Sequence, residues 1–493
     1  MTASIEARER DVQRAFKEAL SIATGAANGP LQLIETSLWS AMLALGRALI
    51  ALYLARAASR TRARTYVHRD AEYVLDGSLT TEIGTRFGRV EFCRPVGRRV
   101  RWRRAARDRP VDRELGLCSG FSLTTVTSVT RLCAQLAFAN ARATFASFCE
   151  WMPSQRSVLR MVDAVGAKAR DFMQAAAAPD GDGDILVIQV DGRGAPMVDR
   201  AEIERRRRPR RHRRGPKRLV RRQRRKLRER PRRTKGDKSK NAKVAFVGVI
   251  YTLRTTAAGC EGPINKRLCA TFESHAALFT WLALEAKKRG YGRKRTLFLA
   301  DGAEVIWDLQ QLHFPDAEPG LDWFHVVEKV WAAGRSLHQE GSAALVAWVG
   351  ERIRELRQPS GAGKVITAMS QAYATIPKTG PGTKAKREKL LEVMQHFSKH
   401  QQRMKYNALR RADLDIGSGA VEGAVRNLVG MRLDGPGMRW SLDRAERVLH
   451  LRCVLLNRQW DDFVEHLANQ PTPLHLAATP TPTRSHDAVK RAA

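Results

Sequence analysis

The sequence predicts a multidomain protein of mixed class, α+β or α/β, from three observations. The 493 residues are enough for about three folding units of ~150 residues each. Runs of mostly β-branched residues at 185–190, 245–253 and 296–300 are typical of buried strands, and a helix-like stretch at 276–288 lies between the last two. The remaining patterned segments have apolar residues at helical spacing, so we expect a sheet-bearing core preceded by a mostly helical region.

Charge is the outlier in the composition. Lys and Arg number 87 and Asp and Glu number 50, which gives a formal net charge of +37 at pH 7. Such a chain is expected to bind a polyanion, and nucleic acid is the commonest polyanion in a cell. An enzyme that acts only on small molecules is therefore disfavoured.

Cysteine usage and hydropathy indicate a cytoplasmic protein with no membrane partner. The seven cysteines are scattered and contain no C-x-x-C pair, so neither a disulfide framework nor a zinc site is predicted. The most apolar stretch, 38–55, is interrupted by Arg47, and its uncharged part at 36–46 is too short to span a bilayer. No signal peptide is expected before it.

The N-terminal third is predicted to be helical in two regions. Residues 1–80 are predicted to form a helical arm, and 81–180 are predicted to contain short helices, the last of which Ser154 can cap. A turn followed by a basic helix is typical of a helix-turn-helix DNA reader. Packed core helices with solvated arginines explain the pattern equally well. The polar side chains on the basic helix are Gln155, Arg156 and Arg160.

A polybasic segment at 205–243 interrupts the predicted sheet after its first strand. It holds 23 Lys and Arg residues against two acids in 39 residues. We expect this run to be disordered when unbound and to bind phosphates without base stacking, because no aromatic residue is interleaved. Its densest part contains Arg221, Arg222, Arg224, Arg225 and Lys226.

Two acids directly follow predicted strands, Asp191 after 185–190 and Asp301 after 296–300. Both would lie at the carboxyl edge of one sheet. Carboxylates are the hard ligands with which phosphodiester-cleaving enzymes hold two Mg²⁺ ions roughly 4 Å apart. For either acid alone, a turn residue or a helix cap is the competing interpretation.

A third acid is needed for such a site, and Glu422 is the best placed. Ser418 can cap a helix with a buried apolar stripe, which places Glu422 near the positive helix terminus at the edge of that stripe. Arg426 lies four residues further on, so a surface pair between Glu422 and Arg426 is the competing interpretation.

Two histidines at helical spacing, His396 and His400, do not form a metalloprotease motif. Phe397 stands where that motif needs a glutamate. We interpret both as surface histidines.

Several motifs stand in one order along the chain. They are VDG at 190–192, ADGA at 300–303, LDWFHV at 321–326, SGAVEG at 418–423, MR at 431–432, GMRWS at 437–441 and LHLR at 449–452. This order resembles the DDE transposases of the ISKra4 insertion-sequence family. The resemblance implies an RNase H-like catalytic core split by a helical insertion, and a Mg²⁺-dependent activity that cuts and joins DNA.

The resemblance also implies roles for individual residues. Asp191, Asp301 and Glu422 would form the metal-binding triad, with two Mg²⁺ or Mn²⁺ ions as cofactor and Asp191 bridging them. The stretch with Asp322 and His325 is similar to an acid-x-x-histidine motif of several transposase superfamilies. His325 would orient a phosphate or protonate a leaving oxygen, unless it is a packed core residue.

Arg432, Arg439 and Trp440 are expected to support the site or to position DNA. Trp440 is interpreted as a stacking platform for an unpaired base or, alternatively, as a buried anchor for the last helix. Relatives are expected to have a zinc-binding cysteine pair near Cys93, but Cys93 has no partner close to it in the sequence, so no zinc site is predicted.

These expectations combine into one organisation. After the arm and the helix-turn-helix-like region come the first part of the core at 181–330, a helical insertion at 331–414, the last part of the core at 415–468 and a disordered tail at 469–493. The predicted function is a transposase, nucleoid-associated in a bacterial cytoplasm, that acts as a homo-oligomer on double-stranded DNA (transposon ends and target). A nuclease of the same fold without strand transfer and an inactive DNA-binding protein derived from a transposase are the alternatives.

The polybasic segment yields a prediction about salt. If a third of its charges neutralise phosphates, the logarithm of the DNA-binding constant falls against the logarithm of salt concentration with a slope of about −6 or steeper. Fluorescence anisotropy of a labelled duplex between low and moderate salt measures this slope. A slope near about −2 would show that few of these charges reach the DNA backbone.

Overall fold

The computed structural model describes residues 2–25, 30–101, 107–199 and 242–476. It is of mixed α/β composition, which confirms the predicted class at that level. The chain divides into two compact units, one formed by Met1–Phe172 with Arg458–Ala493 and the other by Met173–Asn457. The segment from Arg458 onward therefore belongs to the first unit, although 415–468 was predicted to complete the core.

Helices begin the first unit and follow its sheet. Their bounds are α1 Thr2–Thr24, α2 Leu31–Ser59, α3 Pro110–Glu114, α4 Leu123–Gln135, α5 Phe138–Cys149 and α6 Gln155–Ala175, with Trp460–Ala468 added near the end of the chain. The prediction of short helices before a basic helix is confirmed. Ser154 caps α6, because its Oγ accepts a hydrogen bond from the Ser157 amide at 3.1 Å.

A three-stranded antiparallel sheet lies where the sequence predicted only helices, so that prediction is wrong for these residues. The strands are β1 Thr65–His68, β2 Ala71–Thr85 and β3 Gly88–Arg99. Side chains of β3 alternate between buried and exposed, but Arg94 occupies an inward position and is 1% exposed. Its Nη2 donates to Asp112 Oδ2 at 2.9 Å. A buried arginine interrupts the apolar alternation by which a strand is recognised.

The apolar helix α2 is the single helix in the described part of the chain that is long and apolar enough to cross a membrane, by length and composition. Its buried residues Ala51, Leu54 and Ala58 belong to a core cluster that also contains residues of β2 and β3. Arg47, which interrupts the apolar stretch, donates from Nη1 to the Phe87 carbonyl at 3.0 Å. These contacts attach one side of α2 to the sheet, while only 28% of its most apolar window is buried.

The second unit contains a five-stranded mixed sheet. Its strands are β4 Ile185–Pro196, β5 Ala242–Thr256, β6 Gly259–Thr271, β7 Arg295–Ala300 and β8 Glu318–Leu321, in the order β6-β5-β4-β7-β8. The pairs β6-β5 and β5-β4 are antiparallel, and β4-β7 and β7-β8 are parallel. The three predicted strands are confirmed as β4, β5 and β7. The sequence missed β6 and β8 because both contain proline and glycine and neither has an apolar alternation.

Helices surround this sheet and fill the predicted insertion. Their bounds are α7 His275–Lys288, α8 Glu304–His313, α9 Trp323–Leu337, α10 Ala343–Leu356, α11 Gly361–Thr375, α12 Thr383–His400, α13 Tyr406–Arg411, α14 Gly419–Val425, α15 Met431–Leu433 and α16 Leu442–Leu456, with a 3₁₀ turn at Gln401–Arg403 and a π-helical turn at Arg426–Gly430. The predicted helix at 276–288 and the helical character of 331–414 are confirmed.

The central strand β4 holds this unit together. Leu186, Ile188 and Val190 are buried in one core cluster with Leu278 and Leu282 of α7. The same cluster continues into the helices of the insertion. After the insertion the chain returns to the sheet, where α14 packs against β4 and β5.

The tail is ordered further than predicted. Leu474 and Leu476 are buried, and the Leu476 amide donates to Ser119 Oγ at 3.0 Å. The prediction of disorder from residue 469 is therefore wrong for these residues. Residues 477–493 lie outside the described part of the chain.

A buried ion pair at the start of β4 stabilises the sheet. Arg289 donates from Nε and Nη2 to Asp182 at 2.9 and 2.7 Å, and from Nη1 to the Ile250 carbonyl at 3.2 Å. The Arg289 side chain is fully buried. A guanidinium in this position is costly unless it remains paired.

We expect Asp182→Ala to destabilise the chain by about 3–5 kcal/mol, because it leaves the buried charge of Arg289 unpaired. The neighbouring exposed acid provides the control, since Asp184→Ala should cost only about 1 kcal/mol. Urea denaturation followed by tryptophan fluorescence measures both. Equal losses in the two variants would contradict a special role for the buried pair.

Candidate active site

Three aspartates stand in register at the carboxyl edge of the parallel strands. Val190 of β4 pairs with Ala300 of β7, and Ala300 pairs with Leu321 of β8. The next residue on each strand is an acid, so Asp191, Asp301 and Asp322 follow one another across adjacent strands about 4.8 Å apart. The predicted placement of Asp301 after its strand is confirmed. For Asp191 it needs correction, because β4 continues to Pro196 and Asp191 lies where its parallel pairing ends.

Backbone contacts orient the first two acids. Oδ1 of Asp191 accepts from the Gly192 amide at 2.6 Å, and Oδ1 of Asp301 accepts from the Ala303 amide at 3.0 Å. The Asp301 carbonyl accepts from Trp307 Nε1 at 2.9 Å. The loop after β7 is thus tied to α8.

Glu422 lies in the first turn of α14 and shares a cleft of about 640 Å³ with Asp191. Arg193 and Arg426 also line this cleft. Ser418 precedes α14 as predicted, but it does not cap the helix through its side chain; its Oγ donates to Glu422 Oε1 at 2.7 Å. The cleft therefore holds two carboxylates and two exposed guanidinium groups.

A buried glutamine that the sequence reasoning missed positions α14. Gln189 is 1% exposed, and its Oε1 accepts from the Val421 amide at 3.0 Å. Its Nε2 lies within hydrogen-bond distance of the Gly417 carbonyl and the Tyr251 hydroxyl. One amide in the otherwise apolar run ILVIQV was the available signal, because a buried polar side chain needs partners.

The buried Asp322 joins two segments that are distant in sequence. Its Oδ1 accepts from the Ser418 amide at 2.6 Å, and its Oδ2 accepts from the His325 amide at 3.0 Å and bonds His325 Nδ1 at 2.5 Å. Although burial alone would raise it, the pKa of Asp322 is lowered by these hydrogen bonds. Asp322 is 0% exposed, so it holds other groups in place and does not offer its oxygens to the cleft.

His325 is a cation at neutral pH. Its hydrogen bond to Asp322 raises its pKa to about 9, and the charges of Asp301 and Asp191 act in the same direction. This places His325 beside the acids and not in an apolar core.

The pKa of Asp191 depends on the other charged groups of the site. Burial raises the pKa of Asp191, His325 lowers it, and the negative charges of Asp301 and Glu422 raise it further. The predicted triad therefore shares one electrostatic environment, together with His325.

The donor set suits Mg²⁺ or Mn²⁺ in its chemistry, since it consists of carboxylate oxygens, and two of the three acids line one cleft. In the described ranges no three His, Cys, Asp or Glu side chains are already drawn together as metal ligands. Glu422 is bonded to Ser418 in this arrangement. The residues thus fit the ions by type, although in the described part of the chain they are not gathered as ligands.

Two of the three remaining candidates are buried. Arg432 is 1% exposed and Trp440 is 5% exposed, and the guanidinium lies 4.8 Å from the indole centroid. Trp440 Nε1 donates to the Leu433 carbonyl at 2.9 Å, and its backbone bridges to Met197 beyond β4. Trp440 is therefore buried, as the anchor interpretation expects, and its part in positioning DNA stays a prediction. Arg439 is exposed.

The burial of His396 and His400 also differs from the sequence prediction. His400 is 2% exposed and His396 is half-buried, with their ring centroids 4.7 Å apart. Their interpretation as surface histidines is wrong. The sequence pattern of α12 does not reveal this burial, because histidine occurs on both the buried and the polar faces of helices.

Some of the predicted DNA-contacting residues lie in the described part of the chain, and the others lie outside it. Gln155 and Arg156 are exposed at the start of α6, and Arg160 is partly buried one turn later. The five basic residues at 221–226 lie outside the described residues. Their contact with DNA stays a prediction.

Comparison with known proteins adds no identification: no protein-family model and no curated protein matches this sequence. The functional conclusions therefore depend on the site itself.

We expect His325→Gln to change how stability depends on pH. The pKa of His325 is about 9 in the folded chain against about 6.5 unfolded, so protonation stabilises the fold fully below pH 6.5, and this contribution is lost as the pH rises through 9. The difference in unfolding free energy between wild type and His325→Gln should shrink over that interval. Urea titrations at pH 6, 7.5 and 9.5 with a chelator present measure it. His338→Gln, at the other end of α9, is the control, and a pH-independent difference for His325→Gln would contradict the paired cation.

Proposed function

We propose that this chain is a DDE transposase of the ISKra4 type, which cleaves DNA and transfers strands at the ends of an insertion sequence. The observation that carries the proposal is a set of three carboxylates, of which Asp191 and Glu422 line one cleft and Asp301 directly follows the adjacent parallel strand. Asp301 and Glu422 both raise the pKa of Asp191, as expected for acids that share a site.

The architecture supports an RNase H-like core. Three antiparallel strands joined in sequence are followed by two strands parallel to β4, and the acids stand at the carboxyl edge of these strands. Ligands bind at this edge in open α/β sheets. The helices between α9 and α14 correspond to the helical insertion that splits such a core.

The residues of the cleft suit phosphodiester chemistry. Asp191, Asp301 and Glu422 would hold two Mg²⁺ or Mn²⁺ ions, which activate the attacking oxygen and stabilise the leaving one. Arg193 and Arg426 line the same cleft and can bind phosphate oxygens through their guanidinium groups. His325 can orient a phosphate as a charged donor. Its raised pKa makes it a poor base at neutral pH.

DNA affinity is proposed to lie mainly outside the cleft. The net charge of +37 provides the attraction to phosphates, and the exposed residues at the start of α6 are the proposed reading surface. Transposon ends and target DNA are the proposed partners, bound by a homo-oligomer in the bacterial cytoplasm. Affinity and chemistry should therefore be separable by mutation.

An inactive DNA-binding protein is the second candidate. The observation in its favour is that, in the described residues, no three acids or histidines are drawn together as metal ligands. The two candidates differ in one outcome, since only the enzyme cuts DNA when a divalent ion is supplied.

We expect Asp301→Asn to abolish Mg²⁺-dependent DNA cleavage, by at least about a thousandfold, because it removes a carboxylate from the ion site. The salt dependence of DNA binding should not change, since few phosphates contact this residue. Gel assays of supercoiled plasmid nicking and anisotropy titrations measure the two properties.

Asp316→Asn is the matched control, because it makes the same change at an exposed acid before β8. It should cleave as the wild type does. Metal-dependent cutting that survives Asp301→Asn would contradict the proposed site, and absence of cutting by the wild type would favour the DNA-binding candidate. A joining assay with a 3′-hydroxyl end separates a transposase from a nuclease.

A further inference from the structure

One face of the insertion helix α12 covers the loop that follows Asp301. His396, Lys399 and His400 are spaced at i, i+3 and i+4, so they share this face. Lys399 forms an ion pair with Glu304, which lies at the start of α8. The proposed function above assigns no role to this face.

The His396 ring lies directly against the backbone of Gly302. A Cβ atom on residue 302 would overlap the Cε1 atom of His396, and it would be within 3.3 Å of both ring nitrogens. Gly302 has no left-handed backbone angle that would by itself require glycine. The absence of a side chain at this position is therefore explained by the imidazole that occupies the space.

His400 reinforces this contact from beneath. Its ring centroid lies 4.7 Å from that of His396, and its Nδ1 lies 3.0 Å from Arg403 Nη1. Because a guanidinium only donates, Nδ1 of His400 is the acceptor and the ring proton is on Nε2. The Arg403 guanidinium also stacks 4.4 Å from the Trp307 ring centroid.

Trp307 closes the arrangement from the other side. Its indole donates to the Asp301 carbonyl, while the Ala303 amide donates to the Asp301 carboxylate. The loop at 301–304 thus lies between α8 and α12. Any shift of α12 would move Gly302, and with it the amide that orients the Asp301 side chain.

We infer that His396 is a positioning residue, through which the helical insertion holds Asp301 in place for divalent-ion binding. This inference rests on the proposed function, in which Asp301 is an ion ligand. Residues that orient a metal ligand without touching the metal typically change metal affinity or activity 10–100-fold when they are replaced. The insertion is then part of the ion site, although it contributes no ligand.

The test measures Mn²⁺ binding by calorimetry on the full chain without DNA, together with hydrogen–deuterium exchange of the peptide that contains Ala303. His396→Ala should weaken Mn²⁺ binding by about 10–100-fold and speed exchange of that peptide. Gln395→Ala is the matched control, because Gln395 is an exposed residue on the same helix, and it should change neither property. His396→Gln provides a milder variant if His396→Ala does not fold.

A double-mutant cycle tests the contact itself. Gly302→Ala should weaken Mn²⁺ binding in the wild-type background, because its methyl group overlaps the His396 ring. In the His396→Ala background that overlap is removed, so Gly302→Ala should have little effect. Equal effects in both backgrounds would overturn the inference.

Asp301→Asn separates failure of this inference from failure of the proposed function. If Asp301→Asn loses Mn²⁺ binding while His396→Ala and His396→Gln bind and exchange as the wild type does, the inference is wrong and the proposed ion site stands. If Asp301→Asn binds Mn²⁺ as the wild type does, the proposed site is wrong. Exchange of the Ala303 peptide then still decides whether His396 holds the loop.

Discussion

The buried carboxylate of Asp322 is the interaction on which the candidate site depends. It accepts hydrogen bonds from the Ser418 amide and from His325, and so joins the end of β8 and the start of α9 to the start of α14. The whole insertion lies between these segments in sequence. A fully buried carboxylate is stable only when its hydrogen-bond partners are in place. The chain that returns after the insertion must therefore bring Ser418 to Asp322. Glu422 reaches its cleft because Ser418 is held here.

The negative charges of the candidate site repel one another, and the chain offsets part of this repulsion locally. Asp301 and Glu422 both disfavour ionisation of Asp191, whereas His325 favours it. Because Asp322 is buried and ionised, it raises the pKa of His325 and keeps a positive charge beside the acids at neutral pH. A divalent ion would therefore bind where His325 already offsets part of the negative charge of the acids.

The sequence predicted the structure correctly where the residue types of a segment indicate whether it is buried or exposed. The β-branched runs of β4, β5 and β7 could be predicted, and so could the acids after the runs of β4 and β7, because buried parallel strands end at a common edge. The sheet of the first unit could not, since Arg94 occupies a core position and is recognisable only beside its partner Asp112. His396 and His400 were misjudged for the same reason: a histidine's surroundings depend on a loop almost a hundred residues away in sequence, at Gly302. The burial of Trp440 was one of two open alternatives, and only packing against Arg432 and Leu433 decides it.

The position of the polybasic segment in the sheet connects charge with chemistry. Pro196 of β4 pairs with Ala242 of β5, so the chain leaves the sheet and re-enters it at neighbouring points. Pro196 is five residues beyond Asp191 on a continuous strand, a distance of roughly 17 Å at 3.3–3.4 Å per residue. Under the proposed function, charges attached there would raise the local concentration of DNA phosphates near the candidate cleft. The same basic segment placed elsewhere in the chain would add the same net charge, but its attachment point would not lie near Asp191. Its placement between β4 and β5 would therefore couple the proposed non-specific attraction for DNA to the strand that carries Asp191.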